Sequence, residues 1–118
     1  MTGSELIKQS LKILGYSDNG GNTQLSGRVM SRAVSLINLV YNDLRRICGE
    51  ERALISSLSE ELELPEKAAD ALICGVAAYI ALSEGDDLMQ AVWSQEYQQR
   101  RTALSEVDEI EDVLPRAY

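Results

Sequence analysis

"AVSLINLVY", Ala33 to Tyr41, decides the fold. The run is apolar on nearly every side, with Ser35 and Asn38 as its only polar interruptions. Apolar residues continue outward from it at helical spacing: Val29 and Met30 before it, Leu44 and Ile47 after it. The spacing predicts one helix from near Ser26 to about Cys48, stopped by Gly49, with arginines towards both ends. At 1.5 Å per residue it measures roughly 33 Å, enough to span the domain. A long helix with so apolar a middle belongs at the centre of an all-α bundle.

Upstream, Thr2-Gly3-Ser4-Glu5 fits a capping box, with Thr2 as N-cap, and Leu6, Ile7, Leu11 and Leu14 follow at helical spacing. Gly15 supplies a left-handed stop. The connector "SDNGGN", Ser17 to Asn22, has the composition of a calcium loop but not its order. Counted from Asp18, the third position is Gly20, the sixth is Thr23 where glycine is needed, and the twelfth is Val29 where a bidentate Glu is needed. It reads as a turn of residues that tolerate positive φ.

Downstream, residues 50–64 are ambiguous: Ala53-Leu54-Ile55 suits a short extended piece, and Leu58, Leu62 and Leu64 suit a loop laid over the core. Pro65 fits the first turn of a third helix that runs to Ser83 and stops at Glu84-Gly85. Its small-residue stripe, Ala68, Ala71, Gly75, Ala78 and Leu82, predicts close approach of another helix, most naturally the second. A fourth helix opens at Asp86-Asp87, acids that suit an N-terminus, and carries Met89, Val92, Trp93, Tyr97, Leu104 and Val107. The line Met89-Trp93-Tyr97 has two readings, part of the core or, on so polar a helix, a face presented to a partner. Beyond it, acids alternate with Ile110, Val113 and Leu114 until Pro115, which predicts an extended arm that docks elsewhere. The expected architecture is a bundle of about four helices with a long central second helix, residues 1–107, followed by an extended C-terminal arm, residues 108–118.

A chain of 118 residues suits one domain. Histidine is absent, which excludes serine–histidine and cysteine–histidine catalysis within one chain and the commonest metal ligand. Cys48 and Cys74 form no CxxC pair and read as small apolar-site thiols; no apolar leader opens the sequence, and its longest apolar run, Ala71 to Leu82, is too short for a bilayer. These features predict a protein of the cytoplasm with no membrane partner. The net charge of −8 is unevenly spread: residues 1–27 are neutral, 28–49 carry +3, 50–70 carry −5 and 71–118 carry −6. Such a balance disfavours nucleic-acid binding by counterion release and favours contacts in which basic and acidic faces meet, between copies or with a partner.

The carboxylate pairs Glu60-Glu61, Asp86-Asp87 and Glu109-Glu111 fall in loops, at a helix start and in the tail, where capping and solvation explain them better than a catalytic cleft. Gly20-Gly21 lacks the GK[ST] of a phosphate loop. The doublets Arg45-Arg46 and Arg100-Arg101 are too few for a nucleic-acid face and suit pairing with acids, on a neighbouring copy above all. No catalytic residue, cofactor site or metal site is expected.

Five stretches, in order, carry a resemblance: "ILGYSDNGGNTQLSGRV" (13–29), "RAVSLINLVYNDLRRICG" (32–49), "LPEKAADALICGVAAYIALSEGD" (64–86), "YQQRRTAL" (97–104) and "IEDVLP" (110–115). Together they resemble the head–tail connector (adaptor) proteins of long-tailed bacteriophages and prophages, over about Leu11 to Pro115. Residues 50–64 match nothing distinctive in that family. The resemblance implies a structural virion protein: a small helical subunit forming a ring beneath the portal protein, beside neighbouring copies, extending the DNA channel towards a stopper or tail-completion protein. It places the protein at the head–tail junction of the virion, and in the host cytoplasm during assembly. DNA passes through such a ring without sequence-specific recognition. By the same likeness the contact residues are Arg100, Arg101, Ile110, Val113 and Leu114. Apart from that likeness, a small acidic helical regulatory module of antitoxin or transcription-factor type is the alternative, and a hydrolase built on carboxylates alone is a remoter one.

Overall fold

The structure, a computed structural model, describes residues 1–16, 27–49 and 53–117, and at 28, 29 and 106–117 the backbone alone. It is an all-α bundle of four helices: α1 (Gly3–Leu14), α2 (Gly27–Ile47), α3 (Glu66–Ser83) and α4 (Asp87–Ala117). The SDNGGN connector lies outside the described residues.

Local chemistry sets the helix ends. Thr2 Oγ1 accepts a hydrogen bond from Glu5 N at 3.1 Å, satisfying one of the amides a helix start leaves over. At the other end of α1, Gly15 turns left-handed at φ 74°, so that Gly15 N donates to Lys12 O and Tyr16 N to Leu11 O. The end of α3 repeats this arrangement: Gly85, at φ 75°, donates to Leu82 O, and Asp86 N donates to Ala81 O. Pro65 stands at the N-cap of α3, one position before the first turn, and its carbonyl accepts from Ala68 N and Ala69 N.

Hydrophobic burial then orders the helices. The α2 run expected at the centre is there: Ala33, Leu36, Ile37, Val40, Tyr41 and Leu44 are buried. Met30, on the same stripe as Ala33 and Ile37 but in the first turn of α2, is an exception at 50% exposed. More of the circumference is enclosed on α3, where Ala71, Leu72, Gly75, Val76, Ala78, Ile80 and Ala81 are all buried and α1, α2 and α4 all pack. The small-residue stripe explains how. A Cβ on Gly75 would lie 2.6 Å from Val40 Cγ1 and 3.0 Å from Tyr97 Cδ2, so this glycine lets α2 and α4 both close onto α3. The stripe is buried as far as Ala78, whereas Leu82 at its end is exposed.

Residues 53–64 form no helix and cover the core as a belt. Asn38 holds it with two bonds, its Nδ2 donating to Ile55 O at 2.8 Å and its Oδ1 accepting from Ile55 N at 3.1 Å. The Tyr41 hydroxyl accepts from Glu63 N at 3.2 Å, and Glu60 caps the turn by accepting from the amides of Ser56 and Ser57. Met1 and Thr2 pair with the belt: Leu62 N donates to Met1 O at 2.8 Å and Ser4 N to Leu58 O at 2.9 Å. Ile55 and Leu62 are buried as a result.

The end of the chain departs from expectation. The backbone at 108–117, expected to be an extended arm, continues α4 as helix through Ala117. Val113 and Leu114 lie three and four residues beyond Ile110, so the alternation with acids that suggested an extended arm also fits a helix. Pro115 lies in the last turn, a position at which proline both removes a backbone donor and crowds the carbonyl four residues earlier, and the helix ends two residues on. Among the described residues, no helix is long and apolar enough to cross a membrane.

Candidate interaction surface

Two polar junctions fix α4, one at its start and one about halfway along it. At the start, Asp86 connects three elements. Its Oδ1 accepts from Met89 N at 3.2 Å, capping α4, while its own amide closes α3. Its Oδ2 accepts from the Tyr16 hydroxyl, just beyond α1, at 2.6 Å. Burial, reinforced by the carboxylate that accepts its proton, pushes Tyr16 up to about 12.

Further along, Arg101 reaches across to Asp43 on α2, with Nε to Oδ2 at 2.6 Å and Nη2 to Oδ1 at 3.0 Å. The Tyr97 hydroxyl donates to the same Oδ2 at 2.5 Å. Hydrogen bonding from Arg101 outweighs the cost of partial burial, so the Asp43 carboxyl is held below its ordinary range; burial and the neighbouring carboxylate hold the Tyr97 phenol protonated. Arg101, expected to meet a neighbouring copy, is thus engaged within its own chain. Its neighbour Arg100 is exposed and lies 3.8 Å from Glu96, one turn back on the same helix. Ile110, Val113 and Leu114 fall on the helical backbone of α4 beyond these junctions.

The direction of α4 follows from the same contacts. Val40 and Tyr97 meet at Gly75, and three to four residues later in each helix Asp43 meets Arg101. Helices α2 and α4 therefore run parallel there, and α4 passes the end of α2, Ile47, near Ser105. Residues 106–117 project past it.

Met89, Trp93, Tyr97 and Leu104 pack against the core from α4, the first of the two readings open to the Met89-Trp93-Tyr97 line. The indole Nε1 of Trp93 is buried with no hydrogen-bond partner among the described residues. Between α3 and α4 runs a groove of about 170 Å³, lined by Gly75, Ala78, Tyr79, Leu82, Gln90, Ser94, Tyr97 and Gln98. Exposed apolar side chains gather at that end of the hairpin, Leu82, Leu88 and Val92, while on α2 Leu39 stands 57% exposed. Burial pushes the Cys74 thiol up, which leaves it a poor nucleophile. Among the described residues, no three His, Cys, Asp or Glu side chains converge as metal ligands.

The groove and the exposed Leu39, Leu82, Leu88 and Val92 offer apolar surface for contact. The junctions at Asp86 and Asp43 were not foreseen, because each joins residues more than fifty apart in sequence. The acids at the start of α4 and the Arg100-Arg101 doublet were the only signals. Comparison with known proteins finds no matching family model, no matching curated protein and no matching solved structure.

Proposed function

We propose that this chain is a ring-forming head–tail connector: a structural subunit that docks under a phage portal and extends the DNA channel towards the stopper or tail. The observation that carries the reading is α4, which is fixed to the body at Asp86 and at Asp43 and then continues as an acidic helix past the end of α2. A subunit that must reach a neighbour or a portal needs such a rigidly based projection. The ordered resemblance of five stretches to the connector family supports the same reading. So does the net charge of −8, since an acidic channel wall repels the phosphates of passing DNA and keeps it from sticking.

The test is co-elution of the full chain with the purified portal ring of the same phage or prophage, at low and moderate salt. The expected result is a shift into the portal peak at a ring-like stoichiometry, lost when the chain is truncated after Glu106. Failure at both salts, with a clean dimer that shifts a DNA probe, would replace the connector reading with a regulatory module.

A further inference from the structure

The outward face of α2 is a second surface, and its chemistry is opposite to that of the projecting end of α4. Arg32, Ser35, Leu39, Asn42 and Arg46 follow one another three and four residues apart and so form one stripe of the helix. Arg32, Ser35 and Arg46 are exposed, and Leu39 is exposed at the middle of the stripe. Neither Arg32 nor Arg46 has a carboxylate within salt-bridge distance among the described residues, whereas Asp43, beside the stripe, is taken by Arg101. An apolar side chain flanked by two arginines, each two turns away and neither in a salt bridge among the described residues, fits an amphipathic acidic helix.

Among the described residues the end of α4 is such a helix. Ala103, Val107, Ile110, Leu114 and Ala117 are spaced alternately four and three apart, and Glu106, Asp108, Glu109, Glu111 and Asp112 fall between them. The other acidic stretch, 53–64, is already committed to the body through Asn38, Tyr41 and its own Glu60 turn. Nor can the terminal helix serve its own α2: it runs parallel to α2 and projects past Ile47, away from the Arg32–Arg46 stripe.

We propose that the Arg32–Leu39–Arg46 face of α2 receives the C-terminal helical segment, residues 106–117, of a second copy of this chain. The interface is head-to-tail, since donor and acceptor surfaces differ, and repeating it generates a closed ring or an open filament rather than a two-fold dimer. This deepens the connector reading and rests on it for its setting, but it concerns only contacts between copies and needs no portal.

The experiment is sedimentation velocity on the full chain from about 10 μM to about 1 mM, the upper end being where even weak contacts are occupied. At low salt the expected result is growth beyond dimer with concentration, reversed in about 0.5 M salt, where the Debye length is only a few Å. A face variant, Arg32→Glu with Arg46→Glu, and a tail variant that alters no charge, Ile110→Ser with Leu114→Ser, each stay monomeric over that range. Mixed, they form a one-to-one dimer and stop, because one supplies an intact tail and the other an intact face. Leu39→Ser, which alters no charge, weakens association at least about tenfold, in keeping with the loss of a central apolar contact. A wild type that is monomeric throughout, variants that associate like wild type, or a mixture that remains monomeric would each overturn the proposal. Portal binding that survives such a result would leave the connector reading standing without this interface; loss of portal binding with association intact would do the reverse.

Discussion

Arg101 grips Asp43 with two parallel hydrogen bonds, at 2.6 and 3.0 Å, and Tyr97 adds a third to the same carboxylate. Both charged groups are about one-third exposed, so solvent weakens the attraction; what remains is charge-assisted geometry that no other contact between α2 and α4 supplies. Asp43→Ala should lower stability by about 1–2 kcal/mol in urea unfolding, less than a fully buried network would cost. The pH dependence has a definite sign. Asp43 is held below its ordinary range in the fold, so its contribution is complete above the unfolded carboxylate value near 3.8 and is lost as pH falls through the lower folded value. Wild-type and variant stabilities should therefore converge in acid and stay apart at neutral pH.

Tyr16 works in the other direction. Its phenol is raised in the fold, so the bond to Asp86 contributes fully below the unfolded value of 10.0 and is lost as pH climbs through about 12. Tyr16→Phe should cost about 1 kcal/mol at neutral pH. It should also flatten the loss of stability that the wild type shows over that alkaline window, read by denaturant midpoints across the pH series.

Gly75→Ala tests the helix crossing. Helix propensity alone favours alanine by about 1 kcal/mol. Packing opposes it, since the added methyl would meet the stiff Val40 side chain at 2.6 Å and a Tyr97 ring whose hydroxyl is tied to Asp43. The net result should be destabilisation by about 1–2 kcal/mol. Val40→Ala in the Gly75→Ala background should cost less than Val40→Ala alone, a non-additivity that a double-mutant cycle in urea measures directly.

Asn38→Ala should release the belt. Both backbone groups of Ile55 lose their partner at once, with an expected cost of about 2 kcal/mol. The amides of residues 53–64 should then exchange with solvent well before those of α3, and a nonspecific protease should cut there first.

How much of this was legible beforehand depends on the range over which each signal acts. Thr2, Gly15, Gly49 and Gly85 mark helix ends through contacts a few residues away, and the helix limits follow from them closely. The Ala68–Ala78 stripe announced a close crossing, and Gly75 makes one, but with α4 as well as α2, because a glycine says how near a neighbour comes and not how many there are. The belt was legible as a loop over the core but not in what fixes it: its order comes from Asn38 and Tyr41 on α2, and an isolated Asn in an apolar run gives no hint that its amide will satisfy a distant backbone. Arg101 shows the same limit. Its charge was plain in the sequence, while its partner fifty-eight residues away was not, and the pairing moved it from an expected neighbour contact to an internal clamp. The acidic end misled by an ambiguity of pattern, since spacings of three and four pass for alternation when charges fill every gap.

The two fixed points of α4 give it mechanical behaviour. Asp86 at its start and Asp43 beside Arg101 lie roughly 22 Å apart along the helix, and roughly 24 Å more follow before Ala117. The helix is a cantilever: pinned twice, free at the far end. With both pins in place the tip is aimed by the body. Met89, Trp93, Tyr97 and Leu104 still hold the first half of the helix on the core, so with Asp43 released the freedom gained lies beyond Arg101, where a tilt of about 5° swings Ala117 by about 2 Å over the roughly 24 Å that follow. One ion pair on the flank of the bundle thereby governs the bearing of its most distant turn.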